Sequence, residues 1–212
     1  MDFFKKNSYD MVRMLITQLG ISVFTLVMLL PFNSIGLEQG SFGYNTAMIA
    51  ISLFATGFYF VLLYMSAWDW GAKDKIRVDA GRLKKNGARL LLMSLIANTP
   101  NILFALFAVI CIIFGFIFSS LGAGAFFDLI GTTSAFVIRL TSSMFHGVTA
   151  VAFGFLRSTA DGADNSLFDL AQMLSFICFY VLTVLVCHFG YTLGLNDKRI
   201  FGFIKTKPKK YE

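Results

Sequence analysis

The chain has 212 residues, of which 57% are apolar or aromatic and only 14% charged, and its mean hydropathy is +0.71. Soluble domains carry about 25% charged residues, so the composition excludes an ordinary soluble globule, a disordered chain and a small disulfide scaffold. The net charge of +6 sits in short segments beside apolar runs, the pattern of cytoplasmic loops in membrane proteins, and nucleic acid is not an expected partner.

The first predicted element is a transmembrane helix over residues 11–30. Lys5 and Lys6 precede it as they would the apolar run of a signal peptide. About 20 apolar residues are enough to span, however, and the run closes on Leu29-Leu30-Pro31-Phe32-Asn33 rather than on a small-x-small cleavage site. A loop at 31–44 without a basic residue follows. A second span is predicted from Asn45 to Trp68, with Trp68 and Trp70 as interfacial anchors.

Residues 69–89 read as a basic cytoplasmic loop. Lys73, Lys75, Arg77, Arg82, Lys84, Lys85 and Arg89 outnumber Asp69, Asp74 and Asp79 there. Such a loop attracts anionic headgroups at about 1 kcal/mol per nearby cation, or docks a cytosolic protein. From Arg89 to Ser120 the chain is longer than one crossing needs. Pro100 removes a backbone donor and is expected to divide the stretch into a cytoplasmic-side helix up to Asn98 and a span from Asn101 to Ser119. Asn98, Pro100 and Asn101 thus form a candidate kink of the kind by which transporters hold solutes.

Residues 125–157 carry the most distinctive pattern. Stepping about 100° per residue puts Thr132, Arg139, Ser142 and His146 within about 40° of Asp128, opposite Val137, Met144, Val148 and Phe155. No Gly or Pro interrupts the run between Phe136 and Phe145. The pattern predicts one long amphipathic helix on the outer side. Its stripe of Asp128, Thr132, Arg139, Ser142 and His146 is either a ligand pathway or a solvated interfacial face. An Arg at the bilayer centre costs at least about 2.5–3.5 kcal/mol, and Asp128 is too far along the helix to pair with it. Arg139 is therefore expected to reach water or headgroups, and Arg139→Gln to leave folding nearly unchanged.

The last span is predicted at 166–193. It opens on Ser166-Leu167-Phe168-Asp169, the pattern of a capping box, and a basic cytoplasmic tail at 196–212 closes the chain. Cys111, Cys178 and Cys187 all lie in apolar stretches, and an odd count there argues against a disulfide framework.

Charge counting orients these elements. Four crossings place 16 of the 18 basic residues on one side, six crossings place 17, and an odd number splits them. Both termini are therefore expected in the cytoplasm, with the chain multi-pass in the plasma membrane. The expected fold is all-α: a single membrane domain over 1–212, with four crossings plus one long outer amphipathic helix, or alternatively six crossings. Small residues such as Ala55, Gly57 and Gly154 are expected to let helices approach closely.

No HExxH, GxSxG, Walker or CxxC pattern is present, so an enzyme, a cofactor and a metal are not expected. Two functions remain. One is a non-enzymatic membrane subunit or scaffold whose basic loop and tail bind anionic lipid, a membrane or cytosolic protein, or a second copy. The other is a small transporter or channel lined by the Asp128–Arg139–His146 stripe.

Overall fold

The computed structural model describes residues 2–34, 41–118, 124–157 and 165–198. They form α1 (Asp2–Ser34), α2 (Phe42–Asp79), α3 (Arg89–Ile117), α4 (Gly124–Thr141), α5 (Ser143–Ala152), a 3-10 turn at Gly154–Leu156 and α6 (Ser166–Leu195). No strand occurs among the described residues. Helices α1, α2, α3 and α6 are long and apolar enough to cross a membrane. The protein is an all-α integral membrane bundle with four such helices.

The distribution of side chains fits lipid as the solvent. Ile16, Leu103 and Phe116 lie on the outside, while Gln18, Ser22, Thr25, Ser52, Thr56 and Asn98 are buried. In hydrocarbon, polar side chains must find partners inside the bundle, whereas apolar ones lose nothing by facing outward.

Cross-contacts fix the helix directions. Asn7 and Asp74 both bind Arg89, and Tyr191 binds Asp74. The start of α1, the end of α2, the start of α3 and the end of α6 therefore share one end, termed here the basic end. Helices α2 and α6 run parallel and nearly touch through glycine. A Cβ on Gly194 would overlap the Trp68 carbonyl, and one on Gly190 would lie 2.9 Å from the Tyr64 carbonyl oxygen. Of the small residues expected at such contacts, Ala55 is buried, but Gly57 and Gly154 have nothing within 4 Å of a Cβ position.

Three expectations need correction. First, residues 69–79 are not loop, because α2 stays helical to Asp79. Lys73 pairs with Asp69 and Arg77 with Asp74 at helical spacings, and only residues 80–88 connect α2 to α3. Gly81, at φ 68°, makes the turn in a left-handed conformation that costs glycine little. Second, Pro100 does not divide α3, which runs unbroken from Arg89 to Ile117. Membrane helices tolerate Pro because neighbouring groups support the backbone.

Third, residues 125–157 are not one long helix, and they do not cross twice. Helices α4 and α5 meet at Ser142 with a bend of 117°. Helix α4 descends against the end of α3, with Asp128 beside Gly115 and Gly131 beside Ile112. Helix α5 then returns, its first turn near Tyr180 and its later residues near Met48 and Gln172. Its 10 residues reach only about 15 Å, too short to cross. The pair is a re-entrant hairpin that enters and leaves at the end opposite the basic one.

The capping box also does not form. Asn165, not Ser166, occupies the cap of α6, without a side-chain cap bond, and Asp169 is engaged elsewhere. The loop at 35–40 and the tail from 199 onward lie outside the described residues.

Candidate functional site: a polar track around a broken helix

The break at Ser142 needs no Gly or Pro because hydroxyls replace the helical ladder. Thr141, Ser142 and Ser143 form a run whose side chains compete for backbone groups. Ser142 itself is non-helical, at φ −131°, ψ 31°. Side chains of α1 and α2 then hold the backbone on both sides of the break. Ser22 donates to the Thr141 carbonyl at 2.7 Å, and Thr56 donates to the Met144 carbonyl at 3.0 Å. Ser52 accepts the Gly147 N–H at 2.9 Å, and Ser143 donates to the Ser22 carbonyl at 2.5 Å. Gly147 permits this approach, since a Cβ there would overlap Ser52 Oγ and the Met48 carbonyl.

Around the break lies a buried polar layer. Ser142 Oγ and Tyr180 Oη share a hydrogen bond at 2.5 Å, and Gln18 Nε2 approaches Ser142 Oγ at 3.5 Å. Asn101 Nδ2 donates to Gln18 Oε1 at 3.0 Å. Asn101 is 12 residues from the start of α3, about 18 Å along its axis. The layer therefore lies deep in the bundle rather than at its rim.

A second cluster lies nearer the re-entrant end. Arg139 pairs with Asp169, and its Nε donates to Gln172 Oε1 at 2.6 Å. Gln172 Nε2 in turn meets His146 Nδ1 at 3.0 Å and Thr149 Oγ1 at 3.1 Å. The Phe168 ring lies 5.8 Å from the Arg139 guanidinium and 4.8 Å from that of Arg157. The Arg139 side chain is 23% exposed and that of Asp169 12%. Arg139 is thus a paired, mostly covered residue, contrary to the expectation that it reaches water or headgroups. The sequence reading failed because it assigned Asp169 to a cap.

Of the predicted stripe, Arg139 and His146 converge on Gln172, while Ser142 belongs to the deeper layer. Asp128 packs on Gly115, and Thr132 is exposed and bonds the Asp128 carbonyl of its own helix. The stripe splits because the helix breaks within it. At the predicted kink, Asn101 joins the deep layer and Asn98 turns back to the Ser94 carbonyl at 2.8 Å, its Oδ1 buried without a partner. Asn98 lines a cleft with Gln18, Tyr59 and Thr183 that is too narrow for a water-sized sphere.

At the basic end, Asp74 accepts from Arg89 at 2.5 Å and Tyr191 at 2.9 Å, and Arg89 Nη2 donates to Asn7 at 2.6 Å. Trp68 and Trp70 lie at this end, Trp68 donating to the Lys198 carbonyl at 2.9 Å. Arg82, Lys84 and Lys85 are exposed on the connection, with Lys85 reaching Asn196. Lys75 pairs with Asp197. Among the described residues, no three of His, Cys, Asp and Glu lie close enough to share a metal ion.

Gln18, Ser22, Ser52, Thr56, Gln172 and Tyr180 were not singled out from the sequence, and Asp169 was read only as part of a cap. Their signal is spacing: 18 and 22, 52 and 56, and 169 and 172 each fall on one helical face. The chain matches no known protein-family model, no curated protein and no solved structure.

Proposed function

We propose that the protein is a small membrane transporter or channel whose pathway follows the polar track beside the α4–α5 hairpin. One observation carries this most directly. A broken helix brings hydroxyls, an amide and a paired Arg–Asp to the bundle interior, where each polar group adds insertion cost unless it serves a function or a lock. Polar side chains from α1, α2, α3 and α6 all turn toward that helix. The neighbouring cleft beside Gln18 and Asn98 is too narrow for a water-sized sphere. Transport then requires the hairpin to shift against α1 and α6. The positive-inside rule supports a cytoplasmic basic end, and with it cytoplasmic termini.

The other function, a non-enzymatic subunit or scaffold, draws support from the exposed Arg82, Lys84 and Lys85. The two differ in what reaches Ser142. In a background with the three native cysteines replaced, Ser142→Cys is a near-isosteric probe at a fully buried site. In reconstituted vesicles, a small charged methanethiosulfonate is expected to modify it slowly from the aqueous phase. Complete protection of the folded protein would set transport aside and leave the scaffold.

A further inference from the structure

The basic end contains a cavity of about 200 Å3 between α1, α2, α3 and α6. Its wall carries three cations, Lys73, Arg77 and Arg89, and two carboxylates, Asp10 and Asp74. Asp74 is 3% exposed and already holds three donors: Arg89, Tyr191 and, at 3.4 Å, Arg77. It is therefore committed to the frame. With Asn7 it fixes the Arg89 guanidinium, so Arg89 is preset rather than free to swing.

The other two cations are held in exposed or long ion pairs. Arg77 keeps a 57% exposed side chain and a single long contact to Asp74. Among the described residues Lys73 pairs with Asp69 alone, and both side chains are more than half exposed. Helix α3 starts at this wall, with Leu90 of its first turn lining the cavity. That turn has no acidic residue, but Asn86 Oδ1 accepts the Ala88 N–H at 3.0 Å and Asp74 lies against Arg89, so the positive end of its dipole, worth roughly half a charge, is only partly offset. Trp70 closes the cavity on the side where an interfacial ring belongs.

We propose that this cavity binds a phosphate group. Among the lining residues the cations outnumber the carboxylates by one, and Asp69, outside the lining, shares Lys73, a balance that suits a monoanionic phosphodiester better than the dianion of free phosphate. The occupant assigned is therefore the headgroup phosphate of an anionic glycerophospholipid. Arg77 and Lys73 are its direct contacts, and Arg89 closes the site from the Asp74–Asn7 side. The exposed Lys84 and Lys85 lie outside the cavity and contribute only diffuse attraction.

The test uses the full chain purified in a neutral maltoside detergent. Three probes are titrated: dihexanoyl-phosphatidylglycerol, inorganic phosphate and a dihexanoyl-glycerol without phosphate. Saturable binding of the phosphatidylglycerol is expected, about tenfold or more tighter than either other probe. Losing one charge-assisted hydrogen bond corresponds to roughly a tenfold change, so Arg77→Gln and Lys73→Gln should each weaken it by about that factor. Lys84→Gln/Lys85→Gln should change it less than about twofold, as exposed, screened charges do. Both substituted cavity side chains are exposed, so the fold does not depend on them. Equal binding of the phosphate-free lipid, unchanged affinity in both cavity variants, or an equal loss in the Lys84/Lys85 variant overturns the site. Tighter binding of inorganic phosphate overturns its assignment to lipid.

Discussion

Arg139 shows what one side chain can decide. Its guanidinium bonds Asp169 and Gln172 and lies near the Phe168 ring, so it links the re-entrant hairpin to α6. Breaking a buried pair by removing one partner costs about 3–5 kcal/mol. The residual exposure of Arg139, 23%, lowers the expectation to about 2–3 kcal/mol, because water partly rescues the orphaned carboxylate. Arg139→Gln and Asp169→Asn should each destabilise by that amount in thermal unfolding in detergent. The double variant should lose less than the sum of the two by about 1 kcal/mol or more, the signature of coupled neighbours. A loss below about 0.5 kcal/mol in Arg139→Gln, typical of an ordinary surface change, would return Arg139 to the headgroup region. Asp169 was readable as a partner, since Gln172 lies three residues on and marks the same face as polar. The capping pattern at Ser166 offered a local explanation first, and the cap residue turned out to be Asn165.

At the scale of elements, the spans were readable because a bilayer imposes length and hydropathy on each one. The α4–α5 break was not, because its cause is tertiary. A helical phase over 125–157 takes no account of Ser22, Ser52 and Thr56, which bond backbone groups on either side of the break. The same limit applies to glycine. Gly57 and Gly147 look alike in sequence, yet a Cβ at Gly57 meets nothing within 4 Å, while one at Gly147 would strike Ser52 and the Met48 backbone. Gly147→Ala should therefore cost about 1–3 kcal/mol through overpacking, because backbone atoms of α2 cannot step aside. Gly57→Ala should be neutral or slightly stabilising, since it reduces the freedom of the unfolded chain without strain. Denaturation of both variants in the same detergent separates them. Equal effects would mean that α5 does not lie against α2 at this distance.

For the whole molecule, the hairpin resolves an ambiguity that charge counting left open. Four and six crossings gave nearly the same basic bias, and only the helical phase of 125–157 favoured four. The helix directions are decisive: α3 ends and α6 begins at the end away from Asp74 and Arg89, so α4–α5 must return to where it started. Phe126, Leu129, Phe136 and Leu140 on α4 face outward, as side chains bordered by lipid do. The arrangement predicts a grouping of labels. In a cysteine-free background, Phe42→Cys at the start of α2 and Phe155→Cys after α5 introduce thiols at two highly exposed far-end positions. Ser8→Cys and Lys84→Cys introduce them at the basic end. An impermeant maleimide applied to intact cells should modify the first two alike. The second two should react only after permeabilisation, given the positive-inside orientation. Reversal of both pairs together would change the orientation and leave the fold. Labelling of Phe42→Cys without Phe155→Cys would mean that the hairpin crosses the membrane, and the polar track beside Ser142 could then no longer be a re-entrant pathway.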